Sequence, residues 1–146
     1  MSDRGHHGEG EHHQGHVTVP AMPGSTLVVI EPELVSENYV NHNPGVGPGR
    51  TGLIAFMGHL FDTLSDTRVV VEDAFAVGDR VVGRYTYRAR HTGPFVGVPA
   101  SGAEITMRSI DIWRVEGDRF VEHWDELNLL EVFQQMGAIP KQGGAA

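Results

Sequence analysis

Two aspartates and a histidine interrupt an apolar, alternating pattern near the C-terminus of the chain. Asp111 lies within the run TMRSIDIWRV, and His123 and Asp125 lie within the next run, RFVEHWDEL. Burying an unpaired carboxylate costs several kcal/mol, so a strand that only builds a core has no use for an inward Asp. Such side chains either face solvent or take part in acid–base chemistry.

The turn between the two runs decides whether these side chains share one face of a β-hairpin. A three-residue turn with a bulge would pair Asp111 with His123 and place Asp125 beside them. A strict two-residue turn would instead bring Asp111 to the side of Glu122 and Trp124, because a one-residue slip turns every side chain over. We favour the first register, which also gathers an apolar wall.

That apolar wall would consist of Met107, Trp113 and Leu127. A carboxylate in an apolar, partly closed pocket is a competent general base near neutral pH, and two carboxylates can divide the roles of acid and base. The structural alternative is that one Asp caps a turn or pairs with the arginines of the preceding strand. Trp113 fits a core position better than a ligand platform.

Composition excludes several classes of function. The 146 residues predict one domain with its own core, and the net charge of -8 argues against nucleic acid or an anionic membrane as partner. The absence of cysteine excludes disulfides, thiolate metal sites and a Cys nucleophile. No apolar run reaches the roughly 18–20 residues of a membrane span, and no secretory signal is visible. We therefore expect a cytoplasmic protein.

The chain divides into a tail, a domain and a short C-terminal extension. Residues 1–25 are rich in Gly, His and acids, which predicts disorder, and the flexible C-terminal tail is expected over 141–146. The histidines of the first segment could bind metal, although a Gly-rich tail lacks the fixed geometry of a site. Between the tails, periodicity predicts an α+β domain over 26–140. Its elements are a short helix at 33–39, a helix at 53–64, strands at 68–75, 81–91, 104–115 and 119–127, and a final helix closed by Gly137.

Five motifs in this order resemble the SnoaL-like polyketide (ester) cyclases, over about residues 33–140. They are Tyr39 to Pro44, Arg90 to Pro99, Asp111 to Val115, Glu122 to Asp125 and Gln134 to Gly137. The resemblance implies a nuclear transport factor 2-like fold, in which a curved antiparallel sheet is wrapped by helices into a cone around an apolar pocket. The four predicted strands would form that sheet.

The resemblance also implies a reaction. It is a base-catalysed intramolecular aldol condensation that closes a ring of an aromatic polyketide ester, as in antibiotic biosynthesis, without cofactor or metal. Asp125 matches the family's catalytic aspartate, which would remove a proton flanked by carbonyl groups, and Asp111 would tune it. The expected substrate is a small, apolar, carbonyl-containing molecule.

The remaining candidates are assigned to substrate binding: His42, His123, His91, Trp113, Tyr39 and Met107. The Asn-His-Asn-Pro loop around His42 could equally be a hydrogen-bonded turn. His91 fits a pocket rim or a strand-end surface position.

The sequence is also compatible with two other functions, and it predicts a homodimer. An isomerase or dehydratase would use the same residues on a smaller ketone, and a non-catalytic ligand-binding protein would share the fold. Ile110 and Ile112 lie on the strand face opposite the acids, where exposed apolar side chains predict a homodimer.

Overall fold

The structure is a computed structural model that describes residues 32–141 and, before them, only the backbone of Val17–Thr18 and Val29–Ile30. These two short segments, β1 and β2, pair antiparallel with each other. The predictions of disorder over 1–25 and of a flexible end over 141–146 fall almost wholly outside the described residues. They stay predictions.

A five-stranded sheet and two helices make up the described domain. A 3₁₀ turn at Pro32–Leu34 precedes β3, and the elements that follow complete the fold. They are β3 (Val35–Asn41), α1 (Gly49–Thr63), β4 (Leu64–Val77), β5 (Arg80–His91), β6 (Glu104–Glu116), β7 (Arg119–Leu127) and α2 (Leu129–Gln135). The strand order is β3-β7-β6-β5-β4. The predicted α+β class is confirmed.

The segment predicted as a short helix at 33–39 is instead the edge strand β3, so that prediction was wrong. β3 runs parallel to β7, whereas the other neighbours are antiparallel. Val35 and Tyr39 are its buried side chains, and a spacing of four suits one helical face and one strand face equally. Pairing with the edge of β7 makes this segment a strand, because that edge offers backbone hydrogen-bond partners that no local sequence pattern reveals.

The two predicted helices are present and cover the sheet at different places. α1 packs against β3 and the start of β4, and α2 packs against β6. α2 ends as expected at Gly137, where φ is 78° and the N–H of Ala138 reaches back to the carbonyl of Phe133 at 2.9 Å. The buried apolar core lies beside α2: Leu64, Ala89, Phe95, Ile105, Val132 and Met136. No helix in the described residues is long and apolar enough to cross a membrane.

The β6–β7 hairpin corrects the predicted register while keeping its predicted face. The turn has two residues, with Glu116 paired to Arg119, and the register then shifts between Arg114 and Val115. The bulge and the short turn together bring Asp111 opposite Asp125 rather than opposite His123. The observed register differs from the predicted one by two residues. An even shift keeps every side chain on its original face, so the acids and the histidine still share a face.

Candidate active site

One row of residues crosses three strands of the inner face of the sheet. Gly83 on β5 pairs with Asp111 on β6, and Asp111 pairs with Asp125 on β7. Residues directly opposite on antiparallel strands have Cβ atoms about 5 Å apart. The two carboxylates are therefore immediate neighbours, next to a position without a side chain.

Asp111 is the most enclosed acid of this row. Only 7% of it is exposed, and its Oδ2 accepts a 2.5 Å hydrogen bond from the Ser109 hydroxyl. Its Oδ1 lies 2.8 Å from Nε2 of His123, which is 6% exposed. A buried charged group needs such partners, since an unpaired one would be strongly destabilising.

Asp125 is half-buried and is held by an amide that the sequence did not single out. Nδ2 of Asn43 donates to both carboxylate oxygens, at 3.0 and 2.9 Å. The orientation of this amide is fixed, because the backbone N–H of Gly45 donates to Oδ1 of Asn43 at 2.8 Å. Asn43 therefore presents its NH₂ group, and not its oxygen, to Asp125.

A second asparagine fixes the proton position on His123. Oδ1 of Asn41 accepts the backbone N–H of Asn43 at 3.0 Å and lies 3.1 Å from Nδ1 of His123. Because that atom is an acceptor, Nδ1 of His123 must carry the hydrogen. Nε2 and Asp111 Oδ1 then share one further proton, on the nitrogen or on the oxygen.

In either position of that proton, Asp111 and His123 together carry no net charge. This resolves the repulsion expected of two opposed carboxylates, since like charges so close cannot both ionise without cost. Among the described residues, Asp125 has no such cationic or proton-sharing partner, so its negative charge is the uncompensated one of the row. The geometry thus separates a proton-holding pair from a carboxylate that can accept a proton.

Aromatic rings pack around this polar group. His123 stacks on Trp113 at a centroid distance of 5.2 Å and on Tyr39 at 6.3 Å. Tyr85 meets Trp113 edge-on at 6.0 Å, and Tyr87 lies beside Tyr85 at 6.1 Å. These are all three tyrosines of the chain.

The same three tyrosines are affected by the acids. Burial, followed by the charge of Asp111, raises the pKa of Tyr85 and Tyr87. The pKa of Tyr39 is raised by burial and then by the charges of Asp125 and Asp111. All three phenols therefore stay protonated at neutral pH and can act as hydrogen-bond donors.

Trp113 and Tyr39 are thus brought together with His123, beside Asp111 and Asp125. Met107 lies on the same face, opposite Tyr87, and packs against the core cluster. It stands between the core and the carboxylates. The sequence pattern had gathered Met107, Trp113 and Leu127 into one wall, and the register keeps all three on one face.

His42 is not brought to the carboxylates. Its ring stacks on Trp124, with centroids 4.9 Å apart and planes 4° apart, and its Nε2 lies 2.8 Å from Oε2 of Glu122. Glu122 and Trp124 alternate with His123 and Asp125 along β7, so His42 belongs to the outer face. Its hydrogen bond, followed by that of Arg114, holds the pKa of Glu122 below its usual range.

His91 also lies away from the acids. It is fully buried, so the alternative of a surface position is wrong. Its Nδ1 accepts the backbone N–H of Ser101 at 3.2 Å and lies 2.8 Å from that residue's hydroxyl oxygen. His91 is eight residues beyond Gly83 along β5, which is roughly 26 Å of strand.

The two asparagines are the site residues that sequence reasoning missed. Asn41 and Asn43 flank His42. Because successive side chains of an extended segment point to opposite sides, the two asparagines lie on one side and the histidine on the other. Histidine is the more familiar catalytic residue, but His42 lies on the side of the chain away from the carboxylates. The signal was present in the Asn-x-Asn spacing.

The polar group also has the spacing of a potential metal site. Ligand atoms of Asp111, His123 and Asp125 all lie within 4.8 Å of one another. In the structure Asp111 is hydrogen-bonded to His123, His123 to Asn41, and Asp125 to Asn43.

Comparison with known proteins decides the family. The family model for SnoaL-like polyketide cyclases matches residues 30–136, which span the sheet, both helices and the whole polar group. The chain belongs to the SnoaL-like polyketide cyclase family. A search of curated proteins found no match to the sequence.

Solved structures agree with membership of this family. TsrD from Streptomyces laurentii is 34% identical, with a TM-score of 0.69 over 73% of this chain and 80% of that one. A candidate SnoaL-like polyketide cyclase from Jannaschia sp. CCS1 is 27% identical, with a TM-score of 0.66 over 74% of this chain and 76% of that one.

A more distant structure supports the fold alone. A ketosteroid isomerase-like protein from Catenulispora acidiphila is 19% identical, with a TM-score of 0.60 over 74% of this chain and 80% of that one. The expected nuclear transport factor 2-like fold is thereby confirmed, with the parallel strand β3 added to the four antiparallel strands predicted.

Proposed function

We propose that this SnoaL-like protein catalyses an intramolecular aldol condensation of a small aromatic β-keto ester, with Asp125 as the general base. The observation that carries the proposal is the division of charge in the Asp111–Asp125 row. Asp111 is hydrogen-bonded to a histidine and a serine, whereas among residues 32–141 Asp125 is hydrogen-bonded only by an amide donor. A base needs the second kind of environment.

The chemical step balances with these residues alone. Asp125 takes a proton from the carbon between two carbonyl groups, and the electrons of the broken C–H bond form the enolate. The enolate carbon attacks a further ketone or aldehyde carbonyl of the same molecule, forming the new C–C bond while that carbonyl's π pair becomes an alkoxide. The proton shared by Asp111 and His123 passes to the alkoxide, and Asp125 later returns its own proton to the pair.

The aromatic rings beside the acids support an aromatic substrate. Trp113, Tyr85 and Phe120 are half-buried and pack on one another beside His123. Their faces and edges suit an aryl ring, for which stacking typically contributes about 0.5–1.5 kcal/mol beyond burial.

Exchange of the acidic proton of ethyl benzoylacetate in D₂O tests the first step directly. Wild-type protein should accelerate the exchange, followed by NMR, above the rate in buffer matched for pH. A chelator should leave the acceleration unchanged. No acceleration would contradict the general-base proposal, and loss with chelator would favour metal at the three ligand atoms instead.

A further inference from the structure

Tyr85 is positioned by a missing side chain. A Cβ atom built on Gly83 would lie 2.2 Å from the hydroxyl oxygen of Tyr85 and 2.5 Å from the ring carbon that bears it. The phenol therefore lies flat over Gly83 and occupies the space of its absent side chain. Gly83 is the residue directly opposite Asp111, so the ring places its hydroxyl at the end of the carboxylate row.

Neighbouring rings hold the phenol in this orientation. Trp113 packs edge-on against it, with planes 78° apart, and Tyr87 lies on its other side. A ring held between two others keeps few rotamers, so its hydroxyl is pre-organised. Interactions prepared in advance are worth most when charge develops during a reaction.

The other two tyrosines are less suited to meet a substrate. Burial raises the pKa of Tyr87, nearby Ser109 lowers it in part, and the Ser109 hydroxyl donates to Asp111. Tyr39 is only 3% exposed and stacks on His123. Tyr85 is half-buried, and within residues 32–141 no side chain or backbone group accepts its hydrogen. Within that range its hydrogen is left without an acceptor, and its hydroxyl oxygen lies over Gly83 at the end of the carboxylate row.

We propose that Tyr85 donates a hydrogen bond to the substrate carbonyl oxygen on which negative charge develops as Asp125 removes the adjacent proton. The inference rests on the proposed function and adds the group that stabilises the enolate. Two strand spacings, about 10 Å, separate Gly83 from Asp125. That span accommodates a carbonyl oxygen and its α-carbon with one contact distance at each end.

The electrons move in one direction in this step. The C–H bond pair becomes the carbon–carbon π bond, the carbonyl π pair moves to oxygen, and the proton passes to Asp125. Tyr85 keeps its own proton throughout, which its raised pKa favours. The recognised ligand is thus any aryl ketone whose enolate oxygen can lie within hydrogen-bond distance of the Tyr85 hydroxyl.

Binding of 2-naphthol tests this inference without turnover. Its anion places charge on one oxygen beside an aromatic ring, as an aryl enolate does. The measurement uses the Asp125→Asn protein, because neutral Asn imitates the protonated base of the enolate complex. Adding Tyr85→Phe should weaken binding of the naphtholate about tenfold to hundredfold, the usual loss for a hydrogen bond to a charged group.

Three controls separate this effect from a general loss of structure. Binding of neutral 2-methoxynaphthalene should stay within about twofold. Gly83→Ala keeps the phenol but places a methyl group in the space that the phenol occupies. It should therefore displace the hydroxyl and weaken naphtholate binding as Tyr85→Phe does. Thr86→Val removes a neighbouring hydroxyl that bonds Glu72 at 3.0 Å on the outer face, and should leave naphtholate binding unchanged.

The outcomes distinguish this inference from the proposed function. Unchanged naphtholate affinity in folded Tyr85→Phe would overturn the role of Tyr85, even if wild-type protein exchanges protons rapidly. A Tyr85-dependent affinity without any proton exchange would leave the oxyanion site standing and contradict Asp125 as base. With both intact, Tyr85→Phe should lower kcat/KM for exchange by about 10²–10³-fold.

Discussion

Asp111 and Asp125 lie directly opposite each other on β6 and β7, and the structure gives them different partners. Asp111 is bonded to Ser109 and His123, whereas Asp125 is bonded to Asn43. Two identical side chains in one row thereby acquire different chemistry. Their difference is created by neighbours on β6, on β7 and in the loop that follows β3 rather than by position in the sequence.

Replacing Asp111 with Asn should destabilise the protein. His123 and Ser109 would both lose a buried carboxylate partner, which typically costs about 1–3 kcal/mol. Urea denaturation should therefore show a lower midpoint for Asp111→Asn. Asp118→Asn, in the exposed β6–β7 turn, is the matched control and should keep the wild-type midpoint. Equal midpoints for all three proteins would show that the pair with His123 contributes nothing to stability.

Asn43 should matter more for proton exchange than His42, although the sequence pointed to the histidine. Asn43→Ala removes the donor that orients Asp125, and a misplaced base can cost up to about 10²-fold in rate. The loss should fall on kcat with KM little changed, because the amide orients the base and not the substrate. His42→Ala disturbs only the contacts with Trp124 and Glu122 on the outer face. A larger loss with His42→Ala would contradict the placement described here.

Alkaline titration of the tyrosines reports on the site alone, since all three lie in it. Their raised pKa values keep the folded-state phenols protonated at a pH where unfolded tyrosines, with a pKa near about 10, ionise. The stability they contribute is therefore present below about pH 10 and is lost as the pH rises through the folded-state pKa.

Near-ultraviolet absorbance of tyrosinate measures this directly. The tyrosines of the folded protein should ionise at higher pH than those of urea-unfolded protein. Asp111→Asn removes a nearby negative charge and should lower the pH at which Tyr85 and Tyr87 ionise in the folded protein. Titration of all three at the unfolded value would contradict the described packing.

Several features of the fold and site follow from the sequence, and others depend on partners distant in the chain. Alternation placed Asp111, Trp113, His123 and Asp125 on one face, because side-chain parity is local. The pairing of Asp111 with Asp125 required a bulge and a two-residue turn together, and each alone gives another register. β3 needed the exposed edge of β7 to become a strand, which no pattern within 33–39 contains.

The outer face of the sheet carries an apolar row that favours a homodimer. Phe75, Val82, Ile112 and Trp124 pair in sequence across β4, β5, β6 and β7. Phe75 is 57% exposed and Ile110, in the next row, 52% exposed. Burying such side chains against a second copy contributes about 25 cal/mol for each Å² removed from water.

Light scattering at micromolar concentration should give the mass of a dimer. Ile112→Lys should shift the protein toward monomer, because it places a charge within the apolar row. Val96→Lys changes a more exposed side chain in the β5–β6 loop, outside the apolar row, and as the control it should leave the mass unchanged. A single monomer mass for wild-type protein would contradict the predicted dimer.

The most direct test of the account is proton exchange of ethyl benzoylacetate by Asp125→Asn. The substitution is nearly isosteric, so the fold and naphthol binding should survive while the general base is lost. We predict a fall in exchange rate of about 10²–10⁴-fold, with a smaller fall for Asp111→Asn. Near wild-type exchange by folded Asp125→Asn, with loss in Asp111→Asn, would contradict the assignment of Asp125 as the base.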